Sequence, residues 1–81
     1  RPHYSMGDSV RQLIQNPELK AWLYEKVPML QKVDGAEIQN MTLEEMSRLP
    51  FFLGIGTRLG LDAKTREEIK EHISKIEVSF S

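Results

Sequence analysis

No cysteine occurs among the 81 residues, which excludes both a disulfide scaffold and a thiol nucleophile. Histidine is nearly as scarce. His3 and His72 stand at opposite ends of the chain, and neither has the further ligands of a metal site or the orienting partner of a histidine base, so both are expected at the surface or a helix border. There is no excess charge of one sign. Eleven Lys and Arg stand against twelve Asp and Glu, spread evenly over the two halves, and this balance argues against nucleic acid or another polyanion as the main partner. Long apolar runs are missing as well: the longest, Pro50-Phe51-Phe52-Leu53-Gly54-Ile55-Gly56, falls far short of the roughly 20 residues that cross a bilayer. No signal-peptide pattern opens the chain, and no membrane partner is expected.

What remains is ordinary globular material, 40% hydrophobic and 28% charged. A chain this short buries only about 60–65% of its unfolded surface. The expectation is one small domain over residues 1–81, with a single core and little room for a deep active site. Its opening, Arg1-Pro2-His3-Tyr4 with the first methionine at Met6, reads as a piece of a larger protein.

The apolar spacing is helical throughout. Asp8 is placed to cap a first helix from Ser9 in which Val10, Leu13 and Ile14 share a face. Asn16-Pro17 ends it and starts the next, with Asn16 as cap and Pro17 in the first turn. There Leu19, Trp22, Leu23 and Val27 form one stripe, so Trp22 is expected in the core and Tyr24 partly exposed. Pro28 closes this helix, Met29, Leu30 and Val33 belong to a turn or short helix ending at Asp34-Gly35, and Ala36 to Gln39 add one helical turn. Thr42-Leu43-Glu44-Glu45 has capping-box spacing, flanked by a Met41–Met46 hydrophobic staple, and the helix it opens stops near Pro50. A glycine-rich connection over 51–61 leads to a last helix, capped by Asp62 or by a second box at Thr65-Arg66-Glu67-Glu68. Ile69, Ile73 and Ile76 line its core face, and Glu71 is spaced to pair with Lys75. No period-two alternation long enough for a sheet is present. The fold expected is all-α, a compact orthogonal bundle of four or five short helices with Pro/Gly turns.

Candidate chemistry is sparse. The serines lack a nucleophile-elbow context and fit capping or surface roles. The carboxylate pairs Glu44-Glu45 and Glu67-Glu68 diverge by about 100° on a helix and occupy first turns, where negative charge is stabilising. No catalytic residue, metal or cofactor is therefore expected. Gly54-Ile55-Gly56 resembles the hairpin of a helix-hairpin-helix module, which makes Gly54, Gly56, Arg58 and Lys64 the candidate phosphate contacts of an alternative, nucleic-acid-binding reading. Acidic Asp62, Glu67 and Glu68 beside them count against it. Aromatic side chains offer a contact surface, with Tyr24, Phe51 and Phe52 the candidates for a protein partner or, alternatively, a carbohydrate.

Segment order adds a resemblance. Tyr4-Ser5-Met6-Gly7-Asp8-Ser9-Val10, then Leu13-Ile14-Gln15-Asn16-Pro17, then Leu23-Tyr24-Glu25-Lys26-Val27-Pro28 look like the small helical domain appended to the C-terminus of some bacterial hydrolases. These include glycoside hydrolase family 3 β-glucosidases and α/β-hydrolase esterases. In that pattern SLDTPL and LLANP precede VLEKHLPG, and a later MSLRQLA resembles Met41-Thr42-Leu43-Glu44-Glu45-Met46. The resemblance covers most of the chain through caps, prolines and apolar positions. Two departures stand out: no glycine follows Pro28, and the Pro50–Leu61 connection is rich in phenylalanine and glycine. None of the parent enzymes' catalytic motifs lies in these residues. The resemblance thus implies a noncatalytic accessory or protein-interaction module whose partner is the catalytic domain of its parent chain or another protein.

Overall fold

The computed structural model describes residues 2–32, 35–48 and 60–78. Five α-helices and one 3₁₀ turn account for most of them, and no strand longer than an isolated bridge occurs among these residues. The fold is all-α.

Four of the five α-helices begin at a side chain that satisfies a free backbone amide. Helix α1, Val10–Ile14, is capped by Ser9 rather than Asp8: Ser9 Oγ accepts from the Gln12 amide at 3.2 Å, and Gln12 Oε1 accepts from the Ser9 amide at 2.8 Å. This reciprocal pair satisfies two amides where an Asp8 cap would satisfy one. Asp8 instead accepts from the Ser5 amide at 3.0 Å and closes the preceding turn. Helix α2, Pro17–Lys26, starts as its sequence predicts, with Asn16 Oδ1 accepting from the Leu19 amide at 3.0 Å and Pro17 in the first turn. Val27 leaves helical geometry at φ −130°, ahead of Pro28. The 3₁₀ turn Pro28–Lys32 follows, then α3, Ala36–Gln39, a single turn.

Helix α4, Leu43–Ser47, carries the predicted capping box, with Thr42 Oγ1 accepting from the Glu45 amide at 3.1 Å and Glu45 Oε1 from the Thr42 amide at 3.0 Å. Helix α5, Ala63–Ile73, is capped by Asp62, whose Oδ1 accepts from the Thr65 amide at 2.8 Å. Thr65 is thereby drawn inside the helix, and the box predicted at Thr65–Glu68 does not form. Gly60 precedes this start with φ +69°, a left-handed conformation that disfavours any side chain.

The predicted apolar faces meet in one core. Val10 and Leu13 of α1, Leu19 and Leu23 of α2, Val27, Leu30, Leu43, Met46, Leu61, Ile69 and Ile73 are all buried, joined by Tyr4 from the N-terminal segment. Fully burying a leucine- or isoleucine-sized side chain contributes about 1.5–3 kcal/mol, so this cluster dominates the stability. Met41, Ile76 and Ile14 pack on it half-buried. Trp22 does too, so the residue expected in the core lies at its rim. No polar or charged residue among those described is buried.

Two antiparallel bridges tie distant segments together. Tyr4 N–H donates to Ile76 O at 3.1 Å and Val78 N–H to Pro2 O at 2.9 Å, pairing the N-terminal segment with the chain after α5. Val10 N–H donates to Met41 O at 2.9 Å, so Ser9 and Thr42, the caps of α1 and α4, sit side by side. The radius of gyration is 12.0 Å, and a folded chain of this length is expected near 12 Å.

Candidate interaction surface

At 100° per residue, Leu19, Leu23 and Val27 define the buried stripe of α2, with Trp22 and Tyr24 at its two borders. The borders have different neighbours. On one side Trp22 and Lys26, four residues apart, meet Glu68 and His72, four residues apart on α5. The indole of Trp22 stacks on the imidazole of His72 with ring centroids 3.8 Å apart and planes 5° from parallel. Lys26 Nζ reaches Glu68 Oε2 at 2.6 Å. The earlier residue of α2 pairs with the later residue of α5, so the two helices run antiparallel along this seam.

The charge in the seam is local. The Lys26 ammonium, first by its hydrogen bond and then by its charge, holds the Glu68 carboxyl below the usual carboxylate range. A groove of about 430 Å³ runs beside the pair, lined by Trp22, Glu25 and Lys26. On the other border Tyr24 is half-buried, and Lys20 Nζ lies 5.8 Å from the centre of its ring, within cation–π range.

A second depression, about 310 Å³, is lined by Met6, Glu44, Ala63, Arg66, Glu67 and Lys70. Its charges are mixed. Arg66 serves the fold there, its Nη1 donating at 3.0 Å to both Ser47 Oγ and the Leu61 carbonyl, which fastens the start of α5 to the end of α4. Lys64 is exposed in the first turn of α5; hydrogen bonds from Thr65 hold the Asp62 carboxyl below the usual carboxylate range, and the Lys64 charge adds to them. Of the phosphate-contact candidates only Lys64 lies within the described residues, since Gly54, Gly56 and Arg58 fall outside them. Phe51 and Phe52 also lie outside them, leaving Tyr24 as the described contact candidate. No group of three or more potential metal ligands is found among the described residues, and no helix there is long and apolar enough to cross a membrane.

Comparison with family models, with curated proteins and with solved structures returns no match to this chain. The surface must therefore be read from its own chemistry. His72 is the residue that sequence reasoning missed. Its signal was present as two i, i+4 pairs, Trp22 with Lys26 and Glu68 with His72, each joining a ring to an ion of complementary type. Only the antiparallel docking of α2 on α5 says that the two pairs belong together.

Proposed function

We propose that this chain is a noncatalytic helical accessory module of a larger bacterial hydrolase, acting in stability, assembly or partner binding, with α2 as its contact face. One observation carries the reading: α2 buries Leu19 and Leu23 in the core but keeps Trp22 and Tyr24 at the two borders of the stripe, each half-buried. A small domain short of core material would gain stability by burying both rings. Aromatic residues held at the rim are the type enriched in protein interfaces, where they supply large contact area at low entropic cost.

The test is deletion of the domain from its parent, together with assays of the chain alone. The module reading expects no hydrolysis by the chain alone, and a lower thermal midpoint, altered assembly or altered activity in the deleted parent. Trp22→Ala and Tyr24→Ala in the parent should reproduce part of that change. Hydrolysis by the isolated chain, or a parent indifferent to the deletion, would count against it.

A further inference from the structure

We infer that the outward face of α2 pairs, in parallel, with the same face of a second copy of this chain. The inference rests on the reading of α2 as a contact face, proposed above, and names a partner for it. Helix α2 carries two stripes. Leu19 and Leu23 form the one buried in the core. On the opposite side Pro17, Ala21 and Tyr24, four and three residues apart, form a second apolar stripe, with Pro17 and Ala21 exposed and Tyr24 half-buried. At about 100° per residue, Ala21 lies directly opposite the midpoint of Leu19 and Leu23. Alternating steps of four and three are the spacing by which two helices pack along a shared seam. A small residue in the middle of that seam lets the two backbones approach closely.

The charges beside this stripe choose the partner. Glu18 and Glu25 flank it on one edge and Lys20 on the other. None of the three has an oppositely charged residue three or four positions away, and none makes an ion pair among the described residues. Glu44, Glu68 and Glu71, by contrast, are matched to Arg48, Lys26 and Lys75. Lys20 Nζ lies 5.8 Å from the centre of the Tyr24 ring, beside the stripe. In a parallel pair the two-fold axis runs along the seam and sets the acidic edge of each helix against the basic edge of the other. Lys20 then faces Glu25 of the second copy, five residues further on, and symmetry makes the contact twice. An antiparallel pair sets like edges together, Glu18 against Glu25, and is disfavoured. One ten-residue helix from each copy covers less than the roughly 1,200 Å² of a stable interface, so the pair is weak and transient.

Sedimentation equilibrium and amide resonances of the 81-residue chain, followed over about 0.05–3 mM, cover the range in which so small an interface associates. The mean mass is expected to rise toward that of a dimer, with concentration-dependent shifts centred on Ala21. Lys20→Glu and Glu25→Lys should each weaken association about tenfold, because two attractive pairs become repulsive. An equimolar mixture of the two variants should recover it, as should the double variant. Ala21→Glu should abolish it by placing a charge in the seam. These positions are all exposed, so each variant should keep the thermal midpoint of the dilute parent chain. A chain still monomeric at about 3 mM would overturn the inference, while leaving α2 to a parent domain or another protein, which the deletion test above reads separately. So would failure of the mixture to recover association, or stronger association in Glu25→Lys alone, the result an antiparallel pair requires.

Discussion

The two longest helices and the two five-residue helices are stabilised by different means. Helices α2 and α5, ten and eleven residues long, each have a single side-chain cap and lean on each other through Trp22–His72 and Lys26–Glu68. Helices α1 and α4, five residues each, have no such seam but carry complete capping boxes, and their caps are joined by the Ser9–Thr42 bridge. The reason is geometric. The first four amides of any helix lack an intrahelical partner, and in a five-residue helix those are nearly all the amides there are. Reciprocal caps therefore matter more in α1 and α4 than in the longer helices, which present enough side-chain surface to be held by packing, while the single turn α3 has no side-chain cap.

The comparison can be broken by substitution. The largest effect is expected where α2 and α5 meet the core: Leu23→Ala or Ile73→Ala should destabilise by about 2–5 kcal/mol in chemical denaturation. Domains of this size have only about 4–12 kcal/mol in total, so either variant should approach the limit of folding. A cost no greater than that of removing a cap would mean the long helices are not held by packing.

Next come the caps. Ser9→Ala and Thr42→Ala should each cost about 1 kcal/mol. Because the two caps face each other across a backbone bridge, the double variant should depart from the sum by about 0.5 kcal/mol or more. Strict additivity would show that the two short helices start independently. Gly60→Ala tests the turn before α5 at similar scale, about 1–2 kcal/mol. A Cβ there meets nothing within 4 Å, so the whole cost would come from the left-handed backbone and none from crowding.

The smallest effect concerns acid. Glu68 and Asp62 both have carboxyl groups held below their ordinary values, by Lys26 and by the Thr65 cap hydrogen bonds respectively. In acid the unfolded chain therefore binds more protons at these sites than the folded one. Their contribution is fully present above about pH 4.5, near the unperturbed carboxylate range, and is lost as pH falls through the lower folded values. Glu68→Gln should flatten the acid limb of the stability curve slightly and remove part of its salt dependence, since the pair is partly exposed. An acid limb identical to the parent chain's would mean that the seam is held by the Trp22–His72 stack alone.

Much of this architecture was legible residue by residue. Asn16-Pro17, Thr42 to Glu45, Val27-Pro28 and the stripes of Leu19, Leu23, Ile69 and Ile73 all act as their spacing says, because caps, proline breaks and amphipathic periodicity operate within one or two turns of chain. The misread cap at α1 and the undecided cap at α5 were both local competitions. Asp8 and Ser9 both qualify as caps, and Gln12 decides for Ser9; Asp62 and Thr65 both qualify, and Asp62 claims the Thr65 amide first. Trp22 was read into the core since a helical wheel gives direction but not depth. Lys26 lies between Trp22 and Leu19 on the same wheel, and its charge already marked that side of α2 as a border.

By itself, then, the sequence determined that this is an all-α chain of short helices without cysteine chemistry or excess charge, and where most of those helices begin and end. The tertiary structure alone decided that Tyr4 enters the core, that Pro2 to Tyr4 pair with Ile76 to Val78, that the caps of α1 and α4 sit together, and that His72 lies flat on Trp22. The difference follows from range. Backbone geometry and capping are settled between residues a few positions apart, while His72 and Trp22, like residues 2–4 and 76–78, are brought together only when the buried leucines and isoleucines of separate helices close on one another.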